Sequence, residues 1–147
     1  MKLLRTINKL KDPRDLWLFI QILKMLTVLP RLIISRRSLP DLLRSLDSGV
    51  SDHQRNRDRL NKTVGFTDSL LRYRIFQRYG KCLLRSLLLF HFLRRQGWPV
   101  EIHFGVRKTA EGLADITGHS WLVLEGSPFL EEECQRGSFA TTYSFPR

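Results

Sequence analysis

Cysteine is scarce in this chain: Cys82 and Cys134 are the only two among 147 residues. Two cysteines make no disulfide framework, and neither belongs to a C-x-x-C pair or stands at zinc-ligand spacing from a histidine, so no metal site and a reducing compartment are expected. Long apolar runs are also missing. The most membrane-like stretch, LWLFIQILKMLTVLPRLII from Leu16 to Ile34, is interrupted by Gln21, Lys24, Pro30 and Arg31, short of the clean apolar span of about 20 residues that a crossing helix needs. No small-residue cleavage site follows it, which argues against a secretory signal. It reads as a buried or partner-facing helix. Internal repeats and low-complexity segments are absent, and 42% hydrophobic with 27% charged residues is a globular composition that excludes a disordered chain.

Acidic residues are outnumbered 14 to 25 by Lys and Arg, and the imbalance is local. Residues 1–95 hold 21 basic against 7 acidic side chains, a balance of +14, whereas residues 96–147 hold 4 against 7, a balance of −3. A basic helical half suits nucleic acid, an anionic membrane surface or an acidic protein partner, and charge alone does not choose among them. No aromatic recognition motif or glycine loop of a nucleic-acid-binding module occurs, so nucleic acid is not the expected partner. A peripheral membrane contact is better supported, because Trp17, Phe19 and their leucine neighbours mix with basic residues as interfacial helices do.

Residues 13–46 predict two helical pieces, one starting near Asp12-Pro13-Arg14-Asp15 and broken around Pro30, the other starting after Leu39-Pro40 at Asp41. Residues 48–61 are polar and charged, a solvated helix or linker. A short amphipathic helix is expected from Thr67, ending at Gly80. Leu83 to Leu93 is then apolar nearly all round, with only Arg85, Ser86 and His91 intervening, as in a central helix buried on several sides, and Gly97 ends it. Val100, Ile102, Phe104 and Val106 alternate with Glu101, His103 and Gly105 as a half-buried strand does. A loop over 107–118, a strand from His119, a turn over 125–128 and a returning strand beginning at Phe129 and running into Glu131, Glu132 and Glu133 complete the reading. The fold class is α+β. A basic helical region and linker over 1–60 precede a core over 61–147, the two forming one compact unit.

Cys82 sits in the first turn of the apolar helix, where unpaired backbone N–H groups and the positive end of the helix dipole favour a thiolate. Thiol acyl chemistry also needs a histidine to move the proton and an acid to hold the imidazole. His119, at a strand start, and Glu131, beyond the next turn, are candidates. The backbone N–H of Cys82 is a natural oxyanion donor. Spacing proves nothing here, since a cysteine and a histidine 37 residues apart are usually unrelated. The remaining histidines have plainer readings: His91 as a hydrogen-bonded core or boundary residue, His103 and His53 as solvated. Cys134 follows three glutamates, whose charge disfavours a thiolate.

CLLRSLLLFHFLRRQGWPVEIHFGVRK followed by HSWLVLEGSPFLE resembles the transglutaminase-like leader peptidases of lasso-peptide biosynthesis, the B proteins. Their pattern is a Cys-Leu helix, an Arg-Arg-x-Gly turn, a Gly-Val-Arg-Lys strand end and a His-Ala-Trp strand ending in an acid. The basic, leucine-rich start and the total length resemble the stand-alone form, so the resemblance extends to the whole chain. It implies a transglutaminase-like, papain-like core with Cys82 as nucleophile, His119 as general base and Glu131 as orienting acid. Two positions depart from the pattern: the acid is glutamate rather than aspartate, which leaves Glu132 as an alternative, and Ser120 replaces alanine.

The implied activity is removal of the leader from a ribosomally made precursor peptide, with no cofactor, in the bacterial cytoplasm. The implied partners are the precursor itself, a separate leader-binding recognition protein and an asparagine-synthetase-like cyclase that closes the ring. Two competitors stand beside it: a non-proteolytic membrane- or RNA-associated basic module, and an amide transferase or deamidase using the same three residues.

Overall fold

The computed structural model describes residues 12–35, 38–50, 52, 54–108, 116–130 and 139–146. Helix α1 spans Pro13–Ile34. Its start is set by Asp12, whose side chain accepts from the Arg14 N–H at 2.9 Å, and by Pro13 at the first helical position, where a missing N–H costs nothing. The expected break at Pro30 does not occur: the helix continues for another turn, and Pro30 itself is buried. Leu18, Ile22, Leu26 and Leu29 are buried on one face, while Leu16, Trp17, Ile20 and Leu23 are exposed on the other. By length and composition α1 reaches what a membrane crossing requires, with a mean hydropathy of 1.7 and 28% of that window buried.

Helix α2, Leu39–Leu46, is capped by Ser38 and so starts two residues before the expected Asp41. Helix α3 spans Arg57–Leu70, capped by Asn56, whose side chain accepts from the Arg59 N–H at 3.1 Å. Its start corrects the expectation at Thr67. Leu60, Thr63, Phe66, Thr67 and Leu70 are buried along one side, so two threonines share the buried face with apolar residues. The helix expected over 67–80 is divided between the end of α3 and a single turn, α4, Arg74–Gln77.

Helix α5, Lys81–Arg95, is the centre of the molecule, with Leu84, Leu87, Leu88, Phe90 and Leu93 each fully buried. Gly97, at φ 83°, closes it in a Schellman turn: the Trp98 N–H donates to the Leu93 carbonyl and the Gly97 N–H to the Arg94 carbonyl, each at 3.0 Å. Strands β1 (Val100–Lys108), β2 (Ile116–Leu124), β3 (Ser127–Phe129) and β4 (Ala140–Phe145) form an antiparallel sheet in the order β3-β2-β1-β4. Both long strands run farther into the expected 107–118 loop than the alternation suggested, with Lys108 paired to Ile116. β4 had no counterpart in the sequence reading.

The alternation of β1 and β2 gives the sheet two distinct faces. Val100, Ile102 and Leu122 turn towards α5 and join its buried cluster, with Phe104, Leu124, Phe129, Tyr143 and Phe145 against it. That cluster draws on α1, α2, α3, α5 and the sheet together, and the boundary expected between residues 60 and 61 falls within α3. Charged clasps fix the helices around it. Arg94 forks onto Asp47 through Nε at 2.6 Å and Nη2 at 3.2 Å, and Arg85 forks onto Asp68 at 2.6 and 3.2 Å. The architecture is the α+β arrangement that the sequence predicts: helices first, then a small antiparallel sheet against a central helix.

Candidate active site

Cys82 lies in the first turn of α5, half-buried and without a disulfide. Gly80 precedes the helix at φ 82° and brings no side chain to cap it. The N–H groups of that turn therefore keep the electropositive character that suits an oxyanion or a thiolate.

One turn farther on, Ser86 is buried and donates from Oγ to the carbonyl of Ser120 at 3.0 Å. Ser120 Oγ in turn donates to Ser86 Oγ at 3.3 Å. Two small residues allow helix and strand to meet closely, and the hydrogen bonds fix where along each other they lie. Direction follows from the other end. Arg94 Nη1 donates to the Val100 carbonyl at 3.3 Å, so β1 leaves the C-terminal end of α5 and runs back along it. β2, antiparallel to β1, then runs parallel to the helix and begins near its start. From Ser86 to Cys82 is about 6 Å along the helix axis, and from Ser120 to His119 about 3.3 Å in the same sense. The backbones of Cys82 and His119 thus lie on the same side of the serine clasp, at the N-terminal end of α5.

The imidazole of His119 leaves β2 on the face opposite Ser120. It stacks on Trp121, with ring centroids 5.9 Å apart and planes at 21°, and meets Phe139 at 5.1 Å and 37°. Among the described residues no hydrogen bond joins Cys82 to His119. The two backbones share an end of the helix, while the imidazole stands on the sheet face turned away from α5. Glu131, Glu132, Cys134 and His53 lie outside the described residues.

Trp121 is buried, and its indole is seated by Gly105. A Cβ at Gly105 would fall 2.8 Å from Trp121 Cη2 and 2.8 Å from the Ala140 carbonyl oxygen. Gly105 is also the residue paired with His119 across the ladder. His103 is a correction. Instead of being solvated, its Nε2 lies 3.0 Å from Glu101 Oε2, its side chain is only 20% exposed, and its ring lies against Trp121 at 5.9 Å. His91 is the boundary residue expected: Nδ1 donates to the Leu46 carbonyl at 2.7 Å, and burial lowers its pKa despite that hydrogen bond, with Arg95 adding to the lowering. Among the described residues no three His, Cys, Asp or Glu side chains gather as a metal site.

The support around His119 escaped the sequence reading. Its traces are modest: a serine four residues after the cysteine, a serine directly after the histidine, and a glycine in a strand.

The profile of the Transglutaminase-like superfamily matches residues 25–144, which is most of the chain, and the protein belongs to that superfamily. No curated protein and no solved structure matches it significantly. The match begins within α1 and ends within β4. Membership fits a cysteine peptidase or an amide transferase, two uses of one thioester chemistry.

Proposed function

We propose that this protein is a cysteine peptidase that removes the leader from a lasso precursor peptide. The observation that carries the reading is the Ser86–Ser120 clasp, which sets the start of β2, with His119, beside the helix start that bears Cys82. Superfamily membership and the motif resemblance from Cys82 to Glu131 support the same assignment.

In this mechanism His119 takes the thiol proton and Cys82 Sγ attacks the carbonyl at the leader–core junction. The tetrahedral oxyanion is met by the Cys82 backbone N–H, with the helix dipole behind it. As the C–N bond breaks, His119 returns its proton to the departing amine of the core peptide. Water, deprotonated by His119, then cleaves the thioester and releases the leader as a carboxylate. Glu131 orients the imidazole. A separate recognition protein delivers the precursor, and an asparagine-synthetase-like cyclase takes the freed core, all in the bacterial cytoplasm.

The test is mass spectrometry of the precursor after incubation with the protein and its recognition partner. Two fragments summing to the precursor plus one water are expected, and Cys82→Ala abolishes them. A mass change without cleavage assigns the thioester to amide transfer or deamidation, and an unchanged precursor favours a binding module.

A further inference from the structure

The C-terminal end of α5 carries a feature that the proposed chemistry does not use. A cavity of about 470 Å³ opens between α1, α3 and α5, with Trp17, Leu18 and Phe92 as its apolar walls and Arg59, Arg95 and Gln96 among its polar ones. Its two arginines differ from their neighbours. Arg55 is paired with Glu125, Arg85 with Asp68 and Arg94 with Asp47. The first-turn acids of α1 and α3, Asp15 and Asp58, are both held by Lys62, at 2.9 and 3.0 Å. Arg59 and Arg95 are left exposed and without a carboxylate among the described residues.

Gln96 is held in a definite orientation. Thr63 Oγ1 spends its proton on the Arg59 carbonyl at 2.8 Å, so it can only accept from Gln96, whose Nε2 donates to it at 2.8 Å. The cavity wall between α3 and α5 is thereby braced beside the two guanidinium groups.

We propose that this cavity binds an acidic side chain of a peptide, its carboxylate held by Arg59 and Arg95 and its stem lying on Trp17 and Phe92. Two planar forks over apolar walls suit a carboxylate on a short aliphatic stem. The site is separate from the chemistry by the length of α5: Cys82 and Arg95 are about 20 Å apart along the helix axis. An extended peptide covers that distance in about six residues. On the leader-peptidase reading, the acidic residue therefore stands at least about six residues from the bond that is cut.

The test needs no cleavage, so its failure and that of the peptidase reading are distinguishable. Fluorescein-labelled octaglutamate is titrated with the full chain and followed by anisotropy. Arg59→Gln/Arg95→Gln should weaken binding by about tenfold or more, whereas Arg74→Gln/Arg78→Gln, which removes equal charge elsewhere, should change it less than about twofold. Unlabelled octaglutamate should also shift the tryptophan emission, and Trp17→Phe should abolish the shift, because Trp17 is 60% exposed while Trp98 and Trp121 are 7% and 3% exposed. Circular dichroism checks that both double variants fold, and Arg59→Lys/Arg95→Lys, which keeps the charge, should retain part of the affinity. Equal losses in the two glutamine variants, no binding, or an Arg59/Arg95 dependence seen only with phosphatidylglycerol vesicles would overturn the proposal.

Discussion

Ser86 Oγ donates to the Ser120 carbonyl at 3.0 Å, and this one hydrogen bond fixes the register between the central helix and the strand that carries His119. Both serines are buried, so the bond is sheltered from water and the strand carbonyl has no solvent to fall back on.

Ser86→Ala therefore removes a buried hydrogen bond and should cost about 1 kcal/mol in urea unfolding. Ser120→Ala, which keeps the carbonyl and loses only the 3.3 Å hydroxyl contact, should cost less than half as much. Ser86→Val should be worse than either, because its added bulk pushes helix and strand apart. If the peptidase reading holds, Ser86→Ala also lowers kcat more than it raises KM, since it displaces the histidine rather than a substrate contact.

Gly105 makes a second demand on the same region. Gly105→Ala puts a methyl group 2.8 Å from both the Trp121 ring and the Ala140 carbonyl oxygen. One of those neighbours is backbone, so a side-chain rotation does not relieve the contact, and a loss of about 1–3 kcal/mol is expected. Near-ultraviolet circular dichroism should report the displaced indole. Trp121→Phe alone should preserve the fold while loosening the stack under His119.

The sequence made the helix order, the central helix and the hairpin legible because strong periodicity and glycine stops mark them. α5 is nearly all apolar, Gly97 ends it, and β1 alternates cleanly. The errors have physical causes. α3 begins at Arg57 and buries Leu60, inside a stretch whose charge reads as a solvated helix or linker. Pro30 lies inside α1 because burial of the surrounding leucines outweighs one missing hydrogen bond. His103 alternates to the polar side of its strand, yet Glu101 and Trp121 enclose it. Of the candidate site, the place of Cys82 in the first turn of the central helix was legible. The serine clasp was not, because its partners lie 34 residues apart and only the folded topology joins them.

His91 gives a pH dependence with a definite sign. Burial lowers its pKa from the ordinary histidine value of 6.5, so the unfolded chain takes up the proton more readily than the folded one. Stability is thus highest above about pH 6.5 and falls as the pH drops below it, until the folded-state histidine is protonated as well. Melting temperatures at pH 7.5 and 5.5 should show a larger acid loss for the wild type than for His91→Gln, which keeps a donor for the Leu46 carbonyl without a titrating ring. Carboxylates elsewhere contribute to both proteins and cancel in the difference. Equal losses would remove His91 as a source of acid sensitivity.

The acid that orients His119 is the sharpest remaining test of the proposed triad. β3 pairs with β2 so that Leu122 faces Phe129, Val123 faces Pro128 and Leu124 faces Ser127. An unbroken continuation of that register brings position 132 opposite His119. Leu130, however, has a φ of 61°, a left-handed conformation that interrupts regular pairing immediately after β3. With the ladder broken there, the resemblance assigns the role to Glu131. Glu131→Gln should then reduce turnover by orders of magnitude, as loss of a triad acid can, with Glu132→Gln and Glu133→Gln near wild type. Glu131→Asp should be intermediate, because it keeps the charge but shortens the reach. A crippled Glu132→Gln beside an active Glu131→Gln would mean that the pairing resumes past Leu130 and the strand register selects the acid. Full activity in all three glutamine variants would reduce the catalytic set to a Cys82–His119 dyad.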